Sequence, residues 1–146
     1  MNPISDWDEI VHNLQIDITS HCNARCSMCV RQVDGSTQVK HDLPLHHFDT
    51  DVWNRLAQED TRGWYIKELT LNGNWGDPMM HPKLVDFLDV YSRAHPETRL
   101  MIHTNGSMRT TTFWHDLAEV SRNFYSHVVM FAVDGLQDTH SIYRVR

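Results

Sequence analysis

The chain has 146 residues, enough for one domain with a hydrophobic core and too few to expect two. Its 19 acidic residues outnumber its 13 basic ones, so the net charge of -6 does not suggest a nucleic acid or an anionic membrane as partner. No apolar run approaches a membrane span, and three unpaired cysteines without an apolar leader favour a reducing, cytoplasmic setting.

The first part of the chain predicts a lead-in and one strand. We expect residues 1–13 to form a polar lead-in and residues 14–146 to form the domain. Apolar and polar residues alternate from Leu14 to Thr19, which predicts strand one. The connection from His21 to Phe48 has little periodicity, and so long an irregular segment in a compact domain is usually functional.

All 3 cysteines of the chain lie at the start of this connection, as Cys22, Cys26 and Cys29 in the spacing Cys-x3-Cys-x2-Cys. An odd number of closely spaced thiols does not make a disulfide framework. A structural zinc would want four ligands, and His21 adjoins Cys22 too closely to share a tetrahedron with it. Thiolates on a loop can reach successive irons of an iron-sulfur cubane, and three of them leave one iron open to a small molecule. Spacing alone favours a cluster, with zinc and inert cysteines as the alternatives.

Helices and strands alternate along the rest of the chain. In order we expect a helix from Asp49 or Thr50 to about Asp60, strand two at 66–72, a helix from His81-Pro82 to about His95, strand three at 99–104, a helix at 112–124 and strand four at 127–133. Strand four is almost continuously apolar, which is typical of a strand covered on both faces by helices. The aromatic stripe of the third helix, Phe113, Trp114 and Phe124, is expected to pack in the core. This alternation predicts an α/β fold with a parallel sheet and right-handed crossovers.

Polar and glycine-containing segments follow strands two, three and four. They read Gly73-Asn74-Trp75-Gly76-Asp77-Pro78, Thr104-Asn105-Gly106 and Asp134-Gly135. Each segment could simply be a turn, and the two glycines after strand two suit either a tight turn or the close approach of a ligand. Ligand sites in parallel α/β folds lie at the carboxyl ends of the strands. We therefore expect these segments to meet the cysteines at one edge of the sheet.

The segment Cys22-Asn-Ala-Arg-Cys26-Ser-Met-Cys29 resembles the signature of the radical S-adenosylmethionine (radical SAM) superfamily, especially members reading Cys-Asn-x-x-Cys-x-Met-Cys. The resemblance, which covers the chain from about Leu14 onwards, implies a parallel-stranded partial TIM barrel truncated to about four strands. It implies that Cys22, Cys26 and Cys29 hold a [4Fe-4S] cluster whose open iron binds the methionine part of S-adenosyl-L-methionine. In that family, one electron from the cluster cleaves the sulfonium to give a 5'-deoxyadenosyl radical, which abstracts hydrogen from a substrate.

The resemblance also implies a site for S-adenosylmethionine. Gly76-Asp77-Pro78 resembles the Gly-Glu-Pro part of the family's Gly-Gly-Glu motif, with Asp77 for glutamate and Trp75 where glycine is common. Relatives carry a similar Thr-Asn-Gly after strand three and a Ser-x-Asp-Gly stretch at strand four, where Ala132 replaces the serine. The implied cofactor-binding residues are Met28, Gly73, Asn74, Trp75, Gly76, Asp77, Thr104, Asn105 and Asp134. No residue is assigned as a catalytic acid, base or radical relay.

The resemblance implies partners as well. They are a low-potential electron donor of the flavodoxin or ferredoxin type and a small-molecule or peptide substrate, with peptide or protein modification or cofactor biosynthesis as the favoured reactions. Relatives have six βα units, so we expect this chain to be a fragment, or a short protein completed by a partner chain or by homo-oligomerisation. The alternative function is a truncated, non-catalytic iron-sulfur or zinc module that binds or regulates a partner.

Overall fold

The computed structural model describes residues 13–58 and 66–145. The elements are β1 (Asn13–Ile16), α1 (Thr50–Gln58), β2 (Glu68–Leu71), a short 3-10 helix (Pro78–Met80), α2 (Leu84–Ala94), β3 (Arg99–Thr104), α3 (Thr111–Ser121), β4 (Ser126–Phe131) and α4 (His140–Tyr143). Residues 1–12 of the predicted lead-in and the predicted end of the first helix at Asp60 lie outside the described residues. Within the described ranges, no helix has the length and apolar character needed to cross a membrane.

The four strands form one parallel sheet in the order β1-β2-β3-β4, with each strand paired to the next. Because right-handed crossovers that always advance in the same direction place their helices on the same face, the sheet has one helical side. On that side α1 contacts α2, and α2 contacts α3. The predicted α/β fold with a parallel sheet is confirmed.

The helical face of the sheet carries the hydrophobic core. Leu69 and Leu71 of β2 and Leu100 and Ile102 of β3 are fully buried there. Each alternates with a residue on the opposite face, as the two-residue period of a strand requires. The helices add the buried side chains Trp53, Leu84, Phe87, Leu88, Tyr91 and Leu117 to the same core.

The opposite face of the sheet is polar near β1 and β2. Asn13 Nδ2 donates to Glu68 Oε1 at 2.6 Å, and Thr70 Oγ1 donates to the same carboxylate oxygen at 3.2 Å. Arg99 of β3 lies 3.6 Å from the other oxygen of Glu68. This face therefore resembles the inner wall of a barrel in its polarity.

The prediction that β4 is covered on both faces is wrong for the described chain. Met130 is 47% exposed and Phe131 is 52% exposed. Phe131 lies on the helical face, where its ring centroid is 5.7 Å from that of Trp114. Val128 and Met130 lie on the opposite face, because the register pairs Val128 with Met101, and Met101 with Thr70. An apolar strand at the edge of a one-sided sheet has the same sequence pattern as a strand buried between two layers of helices.

The predicted boundaries hold for β3 and shift for the other elements. β1 ends at Ile16 because the chain then leaves the sheet, and Thr19 forms an isolated bridge with His47 instead. Asp49 caps α1 as predicted, since its Oδ1 accepts from the backbone N–H of Asp51 at 2.7 Å. The second helix begins at Leu84, later than predicted, because a 3-10 helix occupies the preceding segment.

His81 is a buried histidine at the base of α2 and is 2% exposed. Its Nε2 lies 3.2 Å from the carbonyl oxygen of Phe48, and its Nδ1 lies 3.2 Å from the backbone nitrogen of Lys83. A carbonyl only accepts and an amide N–H only donates, so the neutral ring with its proton on Nε2 satisfies both contacts. Burial lowers the pKa of His81, the hydrogen bond to the Phe48 carbonyl opposes this shift, and the nearby charges of His47, Lys83 and Arg109 add to it.

We expect the metal-free protein to lose stability as the pH falls below the ordinary histidine pKa of about 6.5. In that range the unfolded chain binds a proton that the folded chain, with its lowered His81 pKa, does not bind. The stability that the neutral His81 ring gives the folded state is therefore fully present above this pH. It is lost as the pH falls towards the pKa of His81 in the folded state. Urea unfolding at about pH 7 and about pH 5 measures the difference.

The variant His81→Gln keeps one donor and one acceptor but cannot titrate. Its free energy of unfolding should therefore change less between the two pH values than that of the wild type. His115, which is exposed on α3, provides the control His115→Gln, whose pH dependence should match the wild type. An unchanged pH dependence in His81→Gln would contradict the assignment.

Candidate functional site

The cysteine loop and the carboxyl ends of β2 and β3 line one cavity of about 290 Å³. Of the residues predicted for the site, the cavity is lined by Cys22, Cys26, Cys29, Gly73, Asn74, Gly76, Asp77, Thr104 and Asn105. A second cavity of about 420 Å³ adjoins it and shares Ala24, Asn105 and Arg144 with it. The cysteine, strand-two and strand-three segments therefore meet at one edge of the sheet, as their positions after the strands predict.

Three of the predicted cofactor-binding residues do not line this cavity. Met28 is 77% exposed on the outside of the cysteine loop. Trp75 borders a different cavity, because the backbone N–H groups of Asn74 and Trp75 are directed at the carboxylate of Asp17, at 3.0 and 3.4 Å. Asp134 is held by an ion pair with Arg144. Contact between these three side chains and a cofactor stays a prediction.

The cysteines are free thiols at different depths in the structure. Cys26 is buried, and a turn from its carbonyl to the N–H of Cys29, at 2.9 Å, shapes the loop. Burial raises the pKa of the Cys22 thiol, and the nearby charge of Asp77 acts in the same direction. Two groups oppose that shift. One is the N–H of Ala24, which lies 3.4 Å from Cys22 Sγ, and the other is the charge of Arg31. Metal binding at Cys22 would therefore have to release a proton.

The donor set fits a cluster better than a single metal ion. Across the described ranges, no three histidine, cysteine or carboxylate side chains converge on a point where one ion could be held. A tetrahedral zinc site is thus not preformed at the cysteines. In a cubane each thiolate binds a different iron, so its ligands surround a volume and do not converge. The three cysteines are free and line one cavity, so their chemistry suits such a cluster.

Asp77 is 4% exposed and joins the end of β2 to the end of β3. Its Oδ1 accepts from Thr104 Oγ1 at 2.8 Å and from the N–H of Met79 at 3.0 Å. Its Oδ2 accepts from the N–H of Asn105 at 2.8 Å. Charge-assisted bonds of this kind are among the stronger ones in proteins. The carboxylate therefore fixes the backbone at Thr104 and Asn105, a role that the sequence did not reveal.

Gly76 brings the turn after β2 against the chain that enters the cysteine loop. Neither Gly73 nor Gly76 has a positive φ, so the turn does not depend on left-handed backbone. A Cβ at Gly76 would lie 2.1 Å from the carbonyl oxygen of Thr19 and 2.7 Å from that of His21. The next residue, Asp77, donates its N–H to the same His21 carbonyl at 2.8 Å. Close approach to backbone thus explains this glycine whether or not a ligand also contacts it.

An asparagine pair ties the cysteine loop to the end of β3. Asn105 Nδ2 donates to Asn23 Oδ1 at 3.0 Å and lies 3.7 Å from Cys22 Sγ. Asn23 in turn donates to Ser107 Oγ at 2.8 Å. Asn23 lies inside the cysteine motif, but its spacing gave no indication of this role.

Two arginines near the cysteines were missed by the sequence analysis. Arg144 Nη1 lies 3.4 Å from Cys26 Sγ, while its Nε donates to the carboxylate of Asp134. Arg31 also lines the cavity and is 4% exposed. Arginine in a loop is usually solvated, so Arg31 did not stand out. The one available signal for Arg31 was its place two residues after Cys29.

No protein-family model matches the chain. The chain superimposes on the crystal structure of BtrN in complex with AdoMet and 2-DOIA with a TM-score of 0.63 and 18% identity, over 82% of this chain and 45% of that one. BtrN in an open conformation gives the same TM-score over 89% and 53% of the two chains. At this identity the likeness shows the fold alone. It confirms the predicted α/β, parallel-stranded core of the radical SAM type with about four strands.

Two curated proteins are similar in sequence. The tungsten-containing aldehyde ferredoxin oxidoreductase cofactor-modifying protein of Pyrococcus furiosus is 29% identical over 132 residues, which are 88% of this chain and 32% of that protein. The GTP 3',8-cyclase of Streptomyces coelicolor is 25% identical over 103 residues, which are 70% of this chain and 28% of that protein. The chain thus spans about a third of the length of these relatives. These two similarities agree with the resemblance to the radical SAM superfamily noted in the sequence.

Proposed function

We propose that the chain carries a radical SAM site in which Cys22, Cys26 and Cys29 hold a [4Fe-4S] cluster and the adjoining cavity takes S-adenosylmethionine. One observation carries the proposal: three free cysteines share a cavity with the turn after β2 and with the end of β3. When bound, such a cluster supplies the single electron that cleaves the sulfonium and yields a 5'-deoxyadenosyl radical for hydrogen abstraction from a substrate.

The chain's own residues would bind and orient the molecules at this site. Asp77 and Asn105 hold the ends of β2 and β3 beside Cys22, so this wall of the cavity is fixed before a ligand arrives. The adjoining cavity extends from Asn105 towards His140 and Ser141, which gives a long molecule room beyond the cysteines. The BtrN complex with AdoMet supports this choice of ligand, because its fold is shared.

We propose a small-molecule or peptide substrate, with cofactor biosynthesis as the favoured setting. The names of the relatives support this setting, since one modifies a cofactor and the other is a GTP cyclase. The proposal includes a low-potential electron donor of the flavodoxin or ferredoxin type and a reducing, cytoplasmic environment. It also includes completion of the barrel beside β4, by further chain, by a partner or by a second copy. The exposed Met130 and Phe131 on that strand support completion.

The test is cleavage of S-adenosylmethionine by the chain after anaerobic reconstitution with iron and sulfide. We expect 5'-deoxyadenosine to form when dithionite is present, measured by liquid chromatography and mass spectrometry. A variant in which all three cysteines are alanine is the control, and it should form none. A protein that holds a full cluster but forms no 5'-deoxyadenosine would contradict the proposal and favour the non-catalytic module.

A further inference from the structure

Arg31 is held in place by the short hairpin that follows the cysteines. The N–H of Lys40 donates to the carbonyl of Arg31 at 2.9 Å, and Gln32 forms an antiparallel bridge with Val39. On the other side, the N–H of Gln32 donates to the carbonyl of Cys29 at 2.9 Å. These bonds fix the backbone at Arg31 relative to Cys29, and so they also fix the point at which the Arg31 side chain leaves the backbone.

Two nitrogens of the buried Arg31 guanidinium have no partner among the described residues. The residue is 4% exposed, and its Nε and Nη1 atoms are inaccessible to solvent and have no hydrogen-bond partner among the described residues. An arginine cannot relieve this cost by losing its proton. Burying an ionised group without a partner is unfavourable, so a partner outside the described chain would compensate it.

The other charged groups at this cavity are already engaged. Asp77 accepts hydrogen bonds on both carboxylate oxygens from Thr104, Asn105 and Met79. Arg144 has a carboxylate partner of its own, Asp134. Arg31 lines the same cavity as the three cysteines, so the thiolates that would form on metal binding, together with whatever they bind, are the available anions.

We propose that Arg31 provides the buried positive charge that compensates the three thiolates and the cluster bound to them. This inference rests on the proposed function. Three thiolates outweigh the positive charge of an oxidised [4Fe-4S] core, so the whole assembly is an anion, and one added electron makes it more negative. A guanidinium can neutralise this charge and donate hydrogen bonds to sulfur at the same time.

The charge of Arg31 should therefore favour reduction of the cluster. A nearby cation stabilises the more negative, reduced form by more than it stabilises the oxidised form, and it does so strongly where water is excluded. Net charge and hydrogen bonds to sulfur are among the factors that set cluster potentials. Arg31 would thus make the cluster easier to reduce by its electron donor.

The first test is the reduction potential of the reconstituted full chain, measured by EPR-monitored titration without S-adenosylmethionine. We expect Arg31→Gln to lower the equilibrium constant for reduction about tenfold, which for one electron is about 59 mV more negative. Arg31→Lys keeps the charge and should recover most of this shift. Arg122, which pairs with Glu119 on the surface of α3, provides the control Arg122→Gln, and this variant should match the wild type.

The second test is thermal stability with and without the cluster. In the metal-free protein, Arg31→Gln removes an uncompensated buried charge, so its Tm should equal or exceed that of the wild type. In the reconstituted protein, Arg31→Gln should have a lower Tm than the wild type, because the same change removes the partner of the cluster. An arginine with a merely structural role would lower the Tm of Arg31→Gln in both forms, which would overturn the inference.

The outcomes separate this inference from the proposed function. A wild-type chain that holds no cluster would overturn both. A wild-type chain that holds a cluster, with an unchanged potential in Arg31→Gln, would overturn the role of Arg31 and leave the proposed function standing. If the potential of Arg31→Gln is unchanged but S-adenosylmethionine binds more weakly, Arg31 binds the carboxylate of that molecule. This result would also overturn the inference.

Discussion

Changing Cys26 to serine is expected to abolish cluster retention and the formation of 5'-deoxyadenosine. Cys26 is the buried member of the three thiols, and Arg144 Nη1 lies 3.4 Å from its sulfur. Loss of a residue that only supports a metal ligand costs about 10- to 100-fold in affinity or activity, so loss of a ligand itself should cost about 100-fold or more. Iron and sulfide analysis after reconstitution measures retention, and product analysis measures cleavage.

The control for this variant comes from the same loop. Val30 follows Cys29 and is 48% exposed, so Val30→Ala should keep both the cluster and the cleavage reaction. Circular dichroism of the metal-free proteins shows whether Cys26→Ser still folds. A folded Cys26→Ser that retains a normal iron content would show that Cys26 is not a ligand.

Changing Gly76 to alanine is expected to destabilise the metal-free protein by about 3 kcal/mol, a drop in Tm of about 10 °C. The added Cβ would lie 2.1 Å from the carbonyl oxygen of Thr19. No side chain can rotate to relieve this contact, because the clashing atoms belong to the backbone on both sides. The turn after β2 must then move away from the chain that enters the cysteine loop. Urea unfolding and a thermal melt measure the loss.

Gly73→Ala is the matched control, since it places the same methyl group in the same turn. Its Cβ would lie 3.1 Å from the nearest atom, the carbonyl oxygen of Gly76, so a shift of a few tenths of an ångström relieves it. We expect a clearly smaller loss of stability for Gly73→Ala than for Gly76→Ala. Equal stabilities for Gly76→Ala and the wild type would contradict the packing of this turn.

The site is built by three attachments to the cysteine loop. Gly76 places the turn after β2 against the backbone at Thr19, and Asp77 continues that contact through its N–H to His21. Asn105 ties the end of β3 to Asn23 inside the loop. Because these attachments come from ordered strand ends, the positions of the thiols are set by the sheet. This explains how so irregular a segment can present its thiols on the wall of one cavity.

The fold and the general location of the site could be predicted because both depend on local patterns. Alternating apolar residues marked strands such as 99–104, which the structure has at the same residues. The position of Cys22, Asp77 and Asn105 directly after strands then placed them at one edge, where the cavity lies. Parallel topology carries this inference, since the carboxyl ends of parallel strands share an edge.

Other features depend on contacts between residues distant in sequence, which a local pattern does not encode. Burial of Arg31 arises from a hairpin and a cavity wall that come together only in the folded chain. Trp75 turns outward because Asp17, from another strand end, binds its backbone. The exposure of Met130 follows from the edge position of β4, and an apolar run is the same for an edge strand and a covered one.

The most direct test of the central claim is the EPR spectrum of the reduced, reconstituted protein with and without S-adenosylmethionine. Three cysteine ligands leave one iron of a [4Fe-4S] cluster without a protein ligand, so the added molecule can bind that iron and alter its surroundings. We expect a [4Fe-4S]+ signal that changes on addition of S-adenosylmethionine. A signal that stays the same, or the absence of any cluster signal, would contradict a radical SAM site in this chain.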